Sequence, residues 1–338
     1  MYTEHAINAC DSPRLASPGS PSPTGAYPDS VPVLWQLQVS HYVEKVRWAL
    51  DYKRIPHIRH SLLPGLHVIK AKRLSGDTST APVLTLDGRS IGDSTRIIAA
   101  IEGRWPQPPL YPEDETQRRR ALELEEFFDE ELGPHIRRAF YHELLPRPEL
   151  VVPLFIQGRR RAPRALLHAG FPVLRVAMRR RFEISAQSAA HSRAKMVAAM
   201  DRLEHEISTS GYLVGDSFTV SDLTAAALFY AVARPPQFPY QMVAINELPE
   251  SWREFLDSLA QRPGGQWVTQ MYCRHRGQSA ERTTGDLKKA LRPDARDSQS
   301  KQLPGAVELA NGLPNLAAPR DRESNGRVPW SGRARRAG

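Results

Sequence analysis

The spacing of hydrophobic residues changes twice within the first third of the chain. Residues 31–39 (VPVLWQLQV) are rich in β-branched side chains and predict a strand. After Ser40 the apolar residues recur at helical spacing, at Val43, Val46 and Leu50. A weaker alternation predicts a second strand at 57–63, and the stretch at 66–74 has no clear pattern. The order up to this point is therefore strand, helix, strand.

A β-hairpin and a further helix complete this pattern. The dipeptide Asp87-Gly88 is a two-residue turn signal between short apolar runs at 82–86 and 89–91. Helical spacing then returns, at Ile97, Ile101 and Trp105. The complete order is βαβ, a variable helix, a hairpin and a helix. We therefore predict a thioredoxin-like α/β domain at residues 31–105.

The rest of the folded chain is predicted to be helical. Residues 106–112 (PQPPLYP) contain four prolines, which cannot continue a helix and mark a linker. Residues 113–276 show helical spacing and no convincing strand, which predicts an all-helical bundle domain. The last predicted helix contains Trp252, Phe255 and Leu259 and ends before Pro263-Gly264-Gly265.

Both ends of the chain lack hydrophobic periodicity. Residues 11–30 contain five Pro and five Ser with almost no large apolar side chain, so we predict a disordered segment at 1–30. Residues 277–338 contain 12 Lys and Arg against seven Asp and Glu, which accounts for five of the nine net positive charges. We predict a disordered basic tail there, and only a mildly basic folded part.

Composition excludes several classes of function. Of the 46 basic residues 38 are Arg, spread over every segment, so no specific nucleic-acid partner is predicted. The two cysteines, Cys10 and Cys273, form no CxxC pair, and the histidines have no zinc-like spacing, so we predict no metal site. No apolar run approaches the roughly 18–20 residues of a membrane span, and the N-terminus has no signal-peptide core. A cytoplasmic location is the resulting expectation.

The segment from Ser40 to Leu50 (SHYVEKVRWAL) resembles the start of the first helix in glutathione transferases, which has Ser-Pro-Tyr/Phe followed by Lys/Arg-Val-Arg-x-Ala-Leu. The resemblance implies that Ser40 is the catalytic hydroxyl that binds the thiol. His41 replaces the usual Pro, and Val43 stands where glutaredoxin-like relatives have Ser or Cys. Disulfide exchange through a protein cysteine is therefore not expected. The alternative for Ser40 is a plain helix N-cap.

Two further motifs resemble the thiol-binding residues of the same family. Ala81-Pro82-Val83-Leu84 is similar to the family's apolar-Pro-Val-Leu, in which the proline is cis and the preceding backbone pairs with the thiol. Asp93-Ser94 matches its Glu/Asp-Ser, which implies a site for the γ-glutamyl group of glutathione at a helix N-terminus. The alternatives are an edge-strand proline and ordinary helix caps.

A fourth motif indicates the fold rather than the chemistry. Thr219-Val220-Ser221-Asp222 resembles the capping box of the family's helical domain, with Thr219 as the cap and Asp222 bonding back to its N–H. Four such motifs in the right order across roughly 190 residues identify the chain as resembling the glutathione transferase superfamily.

The resemblance implies an enzyme that binds glutathione, or a related small thiol, and transfers its sulfur to a hydrophobic electrophile or reduces that electrophile. The second substrate is expected between the domains, against Val39, His41, Tyr42 and the helices near Leu122 and Phe140. A homodimer is expected as well. The alternative is a non-catalytic adaptor with this fold. The family does not explain the Arg-rich segment 158–181. Its composition favours a solvent-exposed face, and contact with acidic lipid is the alternative interpretation.

Overall fold

A four-stranded mixed sheet forms the N-terminal part of this computed structural model, which describes residues 31–157 and 164–283. Its strands are β1 (Val33–Gln36), β2 (Ile58–Ser61), β3 (Val83–Leu86) and β4 (Arg89–Gly92). The strand order is β2-β1-β3-β4, with β2 parallel to β1 and β3 and β4 antiparallel to their neighbours. This is the predicted thioredoxin-like arrangement.

Three helices accompany the sheet: α1 (His41–Tyr52), α2 (His67–Ser75) and α3 (Ser94–Arg104). Helices α1 and α3 pack on the sheet through a small core that includes Leu34, Val46 and Ile97, all fully buried. Helix α2 corresponds to the stretch without a clear pattern. Its only buried residue is Ala71, and Val68 and Ile69 are exposed, so little of this helix packs into the core.

The proline-rich linker is anchored to both domains. Lys53 donates hydrogen bonds from Nζ to the carbonyl oxygens of Trp105 and Pro108, at 2.8 and 2.6 Å. The carbonyl of Leu110 accepts from the N–H of Val220 at 2.8 Å, and Leu110 itself is buried. The linker therefore fixes the start of the helical domain against the thioredoxin-like domain.

The helical domain begins with a continuous helical stretch that includes one π-helical turn. Helix α4 (Glu115–Phe127) leads through the π turn Phe128–Leu132 into α5 (Gly133–Leu144). Further helices follow: α6 (Pro148–Ile156), α7 (Arg164–Arg181), α8 (Ala186–Glu206), α9 (Val220–Ala233), α10 (Glu250–Ala260) and α11 (Pro263–His275). A 3-10 turn at Ile245–Glu247 precedes α10. None of the described residues of this domain forms a regular strand, as predicted.

Helix α11 corrects the prediction that the helical pattern ends before Pro263. Proline is tolerated in the first turn of a helix, and here Pro263 begins one. Gly264 and Gly265 are needed for close packing, because a Cβ on them would lie 2.5 Å from Met200 Sδ and from the Ala260 carbonyl oxygen. The Pro-Gly-Gly sequence therefore starts a tightly packed helix.

The predicted capping box at the start of α9 is present. Thr219 is the N-cap, and the Asp222 carboxylate accepts from the Thr219 N–H and hydroxyl, each at 2.9 Å. The other carboxylate oxygen accepts from the Leu213 N–H at 2.9 Å. Asp222 is fully buried, so it also ties the preceding loop to the helix.

The described chain continues to residue 283 and so includes the first seven residues of the predicted basic tail. The Ala280 N–H donates to Asp51 Oδ1 at 2.8 Å, and the Arg282 N–H donates to the His57 carbonyl at 2.8 Å. Backbone contacts of this kind leave no hydrophobic pattern, so the sequence did not indicate them. The predicted disordered segment at 1–30 and residues 284–338 of the predicted tail at 277–338 lie outside the described residues. Within the described part of the chain, no helix has the length and apolar character to cross a membrane.

Candidate thiol and electrophile site

The sheet register brings the three predicted thiol-binding segments to one end of the sheet. Strand β1 pairs antiparallel with β3, with Trp35 opposite Val83, so the turn that carries Ser40 lies near the start of β3. Strand β3 pairs with β4, with Val83 opposite Gly92. Residues 81–82 and 93–94 therefore flank the same end of the hairpin.

Ser40 occupies the junction between β1 and α1. Its Oγ accepts a hydrogen bond from the Val43 N–H at 3.4 Å, so it is the N-cap of α1. A serine hydroxyl has a proton to donate as well as lone pairs that accept. The capping role therefore leaves the hydroxyl proton available to a ligand, and Ser40 also lines the cavity described below.

The other predicted thiol contacts differ in exposure. The Ala81–Pro82 bond is cis, as the resemblance implies, and Ala81 lines the cavity whereas Pro82 does not. Asp93 is exposed and caps α3 by accepting from the Arg96 N–H at 3.1 Å. Ser94, the first residue of α3, is buried, and neither Asp93 nor Ser94 is part of the cavity lining.

A cavity of about 400 Å³ opens beside Ser40 and Ala81, within the usual size range of ligand pockets. Four of the predicted electrophile contacts line it: Val39, His41, Tyr42 and Phe140. The rest of the lining comes from residues 37–38, 64–65, 67–68 and 79–80, from helices α5, α6, α7 and α9, and from Phe182, Arg234 and the segment 242–248. The thioredoxin-like and helical domains thus both contribute to one mainly apolar cavity.

Leu122 was predicted to line this cavity, and the structure places it elsewhere. Successive residues on a helix are separated by about 100°. On α4 the buried face carries Ala121, Leu124 and Glu125, so Leu122 points away from it and is 37% exposed. The helical pattern indicated a helix correctly, but the wrong face was assigned to Leu122.

His41 is buried in the cavity wall and is neutral near pH 7. Burial, and next the charge of Arg137, lower the pKa of His41 to about 3. Its Nε2 has no hydrogen-bond partner among the described residues. Such a group is too weak a base to remove a proton from a thiol.

Tyr42 is held in place by the helical domain. Its hydroxyl donates to the Asp129 carbonyl at 2.6 Å, and burial raises its pKa. A Cβ at Gly133 would lie 2.1 Å from the Tyr42 hydroxyl, so this close approach requires glycine. Since the Tyr42 proton is already used, Ser40 is the better hydroxyl donor of the two.

Two domain families match the chain in the order in which the domains occur. The family model for the N-terminal domain of glutathione S-transferase matches residues 34–109, and that for its C-terminal domain matches residues 168–248. The chain belongs to the glutathione transferase superfamily. No curated protein matches it.

Several solved structures are similar to this chain at low identity. A β-etherase, LigF, from Sphingobium sp. strain SYK-6 is 17% identical, covers 71% of this chain and 98% of its own, and has a TM-score of 0.45. FzlA from C. crescentus is 18% identical, covers 71% and 92%, and has a TM-score of 0.45. A glutathione S-transferase from Methylobacterium radiotolerans, in complex with glutathione sulfonate, is 23% identical, covers 69% and 92%, and has a TM-score of 0.42. Similarity at this level carries no argument about activity.

In this glutathione transferase-fold chain, the helical domain supplies polar cavity residues that the sequence analysis missed. Tyr230 on α9 donates from its hydroxyl to the Val39 carbonyl at 2.7 Å and so fixes the turn before Ser40. Arg137 on α5 also lines the cavity. The signal for Arg137 was present, since it is spaced at i+3 and i+4 from Phe140 and Tyr141 and therefore shares their face.

Helix α1 is anchored by buried ion pairs along its length. Lys45 Nζ lies 2.7 Å from Glu125 Oε1 and 2.5 Å from Asp129 Oδ2, both in the helical domain. Arg276 forms salt bridges with Glu44 and Asp51, at 2.7 and 2.6 Å. These pairs hold the N-terminus of α1, and therefore Ser40, against the cavity. Within the described ranges, no cluster of three or more His, Cys, Asp or Glu side chains could hold a metal ion.

Proposed function

We propose that this protein is a glutathione transferase-like enzyme. It binds glutathione, or a related low-molecular-weight thiol, at the sheet end and transfers the sulfur to a hydrophobic electrophile or uses it to reduce one. The observation that carries the proposal is that Ser40 and Ala81 line the same cavity as the apolar residues of α5, α6 and α7. A thiol at Ser40 would therefore face the compartment suited to an apolar second substrate.

The proposal gives each site residue a role. Ser40 donates a hydrogen bond to the thiolate sulfur. The backbone of Ala81, ahead of the cis Pro82, pairs with the peptide part of the thiol. Asp93 and Ser94, at the N-terminus of α3, bind the ammonium and carboxylate of the γ-glutamyl group.

Ser40 activates the thiol by stabilising its anion. A free thiol has a pKa near ~8.5, and lowering it by about two units requires roughly 2.7 kcal/mol of preference for S⁻. A hydrogen bond to a charged group supplies about 1.5–3 kcal/mol, and a helix N-terminus adds about 0.3–1 kcal/mol. The two together are sufficient without a general base, which agrees with the low basicity of His41. The thiol proton then passes to solvent.

The test has two steps, binding and activation. Calorimetry should detect glutathione binding to the full chain. Ser40→Ala should raise the pKa of the bound thiol and lower turnover at neutral pH about ten- to a hundredfold, with affinity changed by only a few fold. Ser40→Thr keeps both the hydroxyl and the capping oxygen, and should retain most of the activity.

The competing hypothesis is a binding or adaptor protein without catalysis, for which His41 in place of proline is the motivating residue. Measurable glutathione affinity together with an unchanged thiol pKa in Ser40→Ala would favour it. A homodimer and a cytoplasmic location remain predictions that accompany either function.

A further inference from the structure

The described lining of the cavity contains no Asp or Glu, yet it includes three arginines: Arg137, Arg181 and Arg234. Arg234 donates to the Val243 carbonyl, so part of its bonding capacity is used. Arg181 is the last residue of α7 and is exposed. The cavity is therefore apolar with a cationic part, and the Arg-rich segment supplies one of its walls.

Arg137 is the cavity arginine that has a buried donor without an acceptor among the described residues. Its Nε is buried and has no hydrogen-bond partner, and no carboxylate of the described residues forms a salt bridge with it. Its guanidinium carbon instead lies 4.6 Å from the ring centre of Phe182 and 6.0 Å from that of Tyr42. Burial lowers the pKa of Arg137; Tyr42 and Tyr141 oppose this, and the charges of Arg181 and Arg138 add to it.

The neighbouring Arg138, in contrast, has partners that stabilise the fold. Its Nε donates to the Phe182 carbonyl at 2.9 Å, and its guanidinium lies 3.7 Å from Glu183. Arg138 does not line the cavity. Arg137 as a whole is half-buried, but its Nε is shielded from solvent without an acceptor, and a desolvated donor without a partner is costly, so the site favours an anionic ligand that pairs with Arg137.

We propose that the second substrate is an organic anion, an apolar and preferably aromatic body that carries a carboxylate or sulfonate, and that Arg137 binds this acidic group. This inference rests on the proposed function, because it names the class of electrophile. Arginine suits the role because its planar donors bind an anionic group in a bidentate manner. Arg181 adds a second positive charge at the cavity.

The thiol's own carboxylates are a less suitable partner for Arg137. The residues proposed to bind the thiol all belong to the thioredoxin-like domain, whereas Arg137 lies on α5 beside Phe140, Tyr141 and Phe182. These aromatic side chains suit an apolar ligand body next to the acidic group. If Arg137 bound the thiol, Arg137→Gln should strongly lower glutathione affinity measured by calorimetry, whereas binding of the second substrate by Arg137 predicts a change of only a few fold.

The first experiment does not depend on thiol chemistry. 8-Anilinonaphthalene-1-sulfonate and N-phenyl-1-naphthylamine share one aromatic body and differ by the sulfonate, and binding of both is followed by fluorescence. Arg137→Gln should weaken binding of the sulfonate at least about tenfold and change the neutral dye less than about threefold. Arg137→Lys should fall between wild type and Arg137→Gln. Arg180→Gln, an exposed position on α7 outside the cavity, is the control for net charge and should resemble wild type.

The second experiment uses turnover with glutathione. In 4-chloro-3,5-dinitrobenzoate and its methyl ester, the thiolate sulfur bonds to the carbon that bears chlorine, chloride leaves, and the thiol proton goes to the buffer. Arg137→Gln should reduce kcat/KM for the carboxylate about ten- to a hundredfold, and for the ester by less than about threefold.

An unchanged ratio of sulfonate to neutral dye affinity in Arg137→Gln would overturn the inference. If glutathione affinity also fell sharply in that variant, Arg137 would be assigned to the thiol. If no variant, including wild type, turns over either electrophile, the proposed function fails. The dye pair still decides whether Arg137 makes the cavity an anion site.

Discussion

At the scale of single residues, Ser40 combines two roles that the sequence could only present as alternatives. Its oxygen accepts the Val43 N–H, and its proton stays free to donate. A cap and a thiolate donor both require a side chain at the junction of a strand and a helix N-terminus. Observing the cap therefore does not count against the chemical role.

Ser94 provides a prediction about thiol affinity. Ser94→Ala should weaken glutathione binding by about 1–3 kcal/mol, because it removes a hydrogen bond to a charged group while Asp93 still caps α3. Calorimetry measures the change directly. Thr95 is the matched control, since its hydroxyl lies 3.0 Å from both Glu125 Oε1 and Asp129 Oδ2 and donates its one proton to this carboxylate pair. Thr95→Val should lower stability and leave affinity within a few fold; equal affinity in wild type and Ser94→Ala would remove the γ-glutamyl assignment.

His57 predicts a loss of stability in acid. Burial, and next the charge of Arg59, lower the pKa of His57 to about 4, although Asp51 opposes this. Arg59 Nε donates to His57 Nε2 at 3.0 Å, so protonation would break that bond. Between pH ~6.5 and ~4 the unfolded chain takes up a proton that the folded chain does not. As the pH is lowered through this range, His57 alone therefore reduces the free energy of unfolding by about 1.4 kcal/mol per pH unit.

Urea unfolding between these pH values would measure that slope. His57→Gln should remove this part of it, while above pH ~6.5 the substitution should leave the slope unchanged. His60, an exposed histidine on β2, is the control, and His60→Gln should keep the wild-type slope. Parallel stability curves for wild type and His57→Gln would show that His57 is not buried as a neutral ring.

At the scale of elements, the sequence predicted those with a strong periodic face and missed those without one. Strand β1 and helix α1 were indicated by their apolar residues, whereas α2 buries only Ala71 and gave no pattern. The start of α11 was missed because Pro263 was interpreted as a terminator. Leu122 shows the limit for the site: periodicity identifies a helix, but it does not say which face of that helix meets the other domain.

The capping box of α9 gives a prediction about one element. Asp222→Ala would leave the N–H groups of Thr219 and Leu213 without their buried acceptor. We expect a loss of about 2–4 kcal/mol, larger than for an exposed cap, because each unsatisfied buried donor costs about 1–3 kcal/mol. Chemical unfolding checks this. Asp222→Asn keeps one acceptor and should lose less; an alanine variant as stable as wild type would mean that the box does not hold the helix.

At the scale of the whole described structure, buried charges join the two domains. Lys45 on α1 pairs with Glu125 on α4 and Asp129 in the π turn. Lys45→Met should destabilise the protein by about 3–5 kcal/mol, because it leaves two carboxylates without their cation. The triple variant Lys45→Met, Glu125→Gln, Asp129→Asn removes all three charges and should recover part of that loss. Equal stability of the single and triple variants would show that the charges are not coupled.

The residues that follow α11 contact a buried carboxylate on α1. Asp51 is buried on α1 and binds Arg59 and Arg276, and the Ala280 N–H donates to its Oδ1. The segment 277–283 therefore completes a buried carboxylate rather than simply leaving the fold. Ala280→Pro removes that N–H in the full chain and should lower the free energy of unfolding by about 1–3 kcal/mol. Ala280→Ser keeps the N–H and is the matched control.

Truncation tests the same contacts without a substitution. A chain that ends after Arg276 should be less stable than one that ends after Thr283 by at least the Ala280→Pro loss, because it also lacks the Arg282 N–H that bonds the His57 carbonyl. Melting temperatures of the two truncated chains make the comparison. If they melt together, residues 277–283 contribute nothing to stability, and Asp51 is held by Arg59 and Arg276 alone.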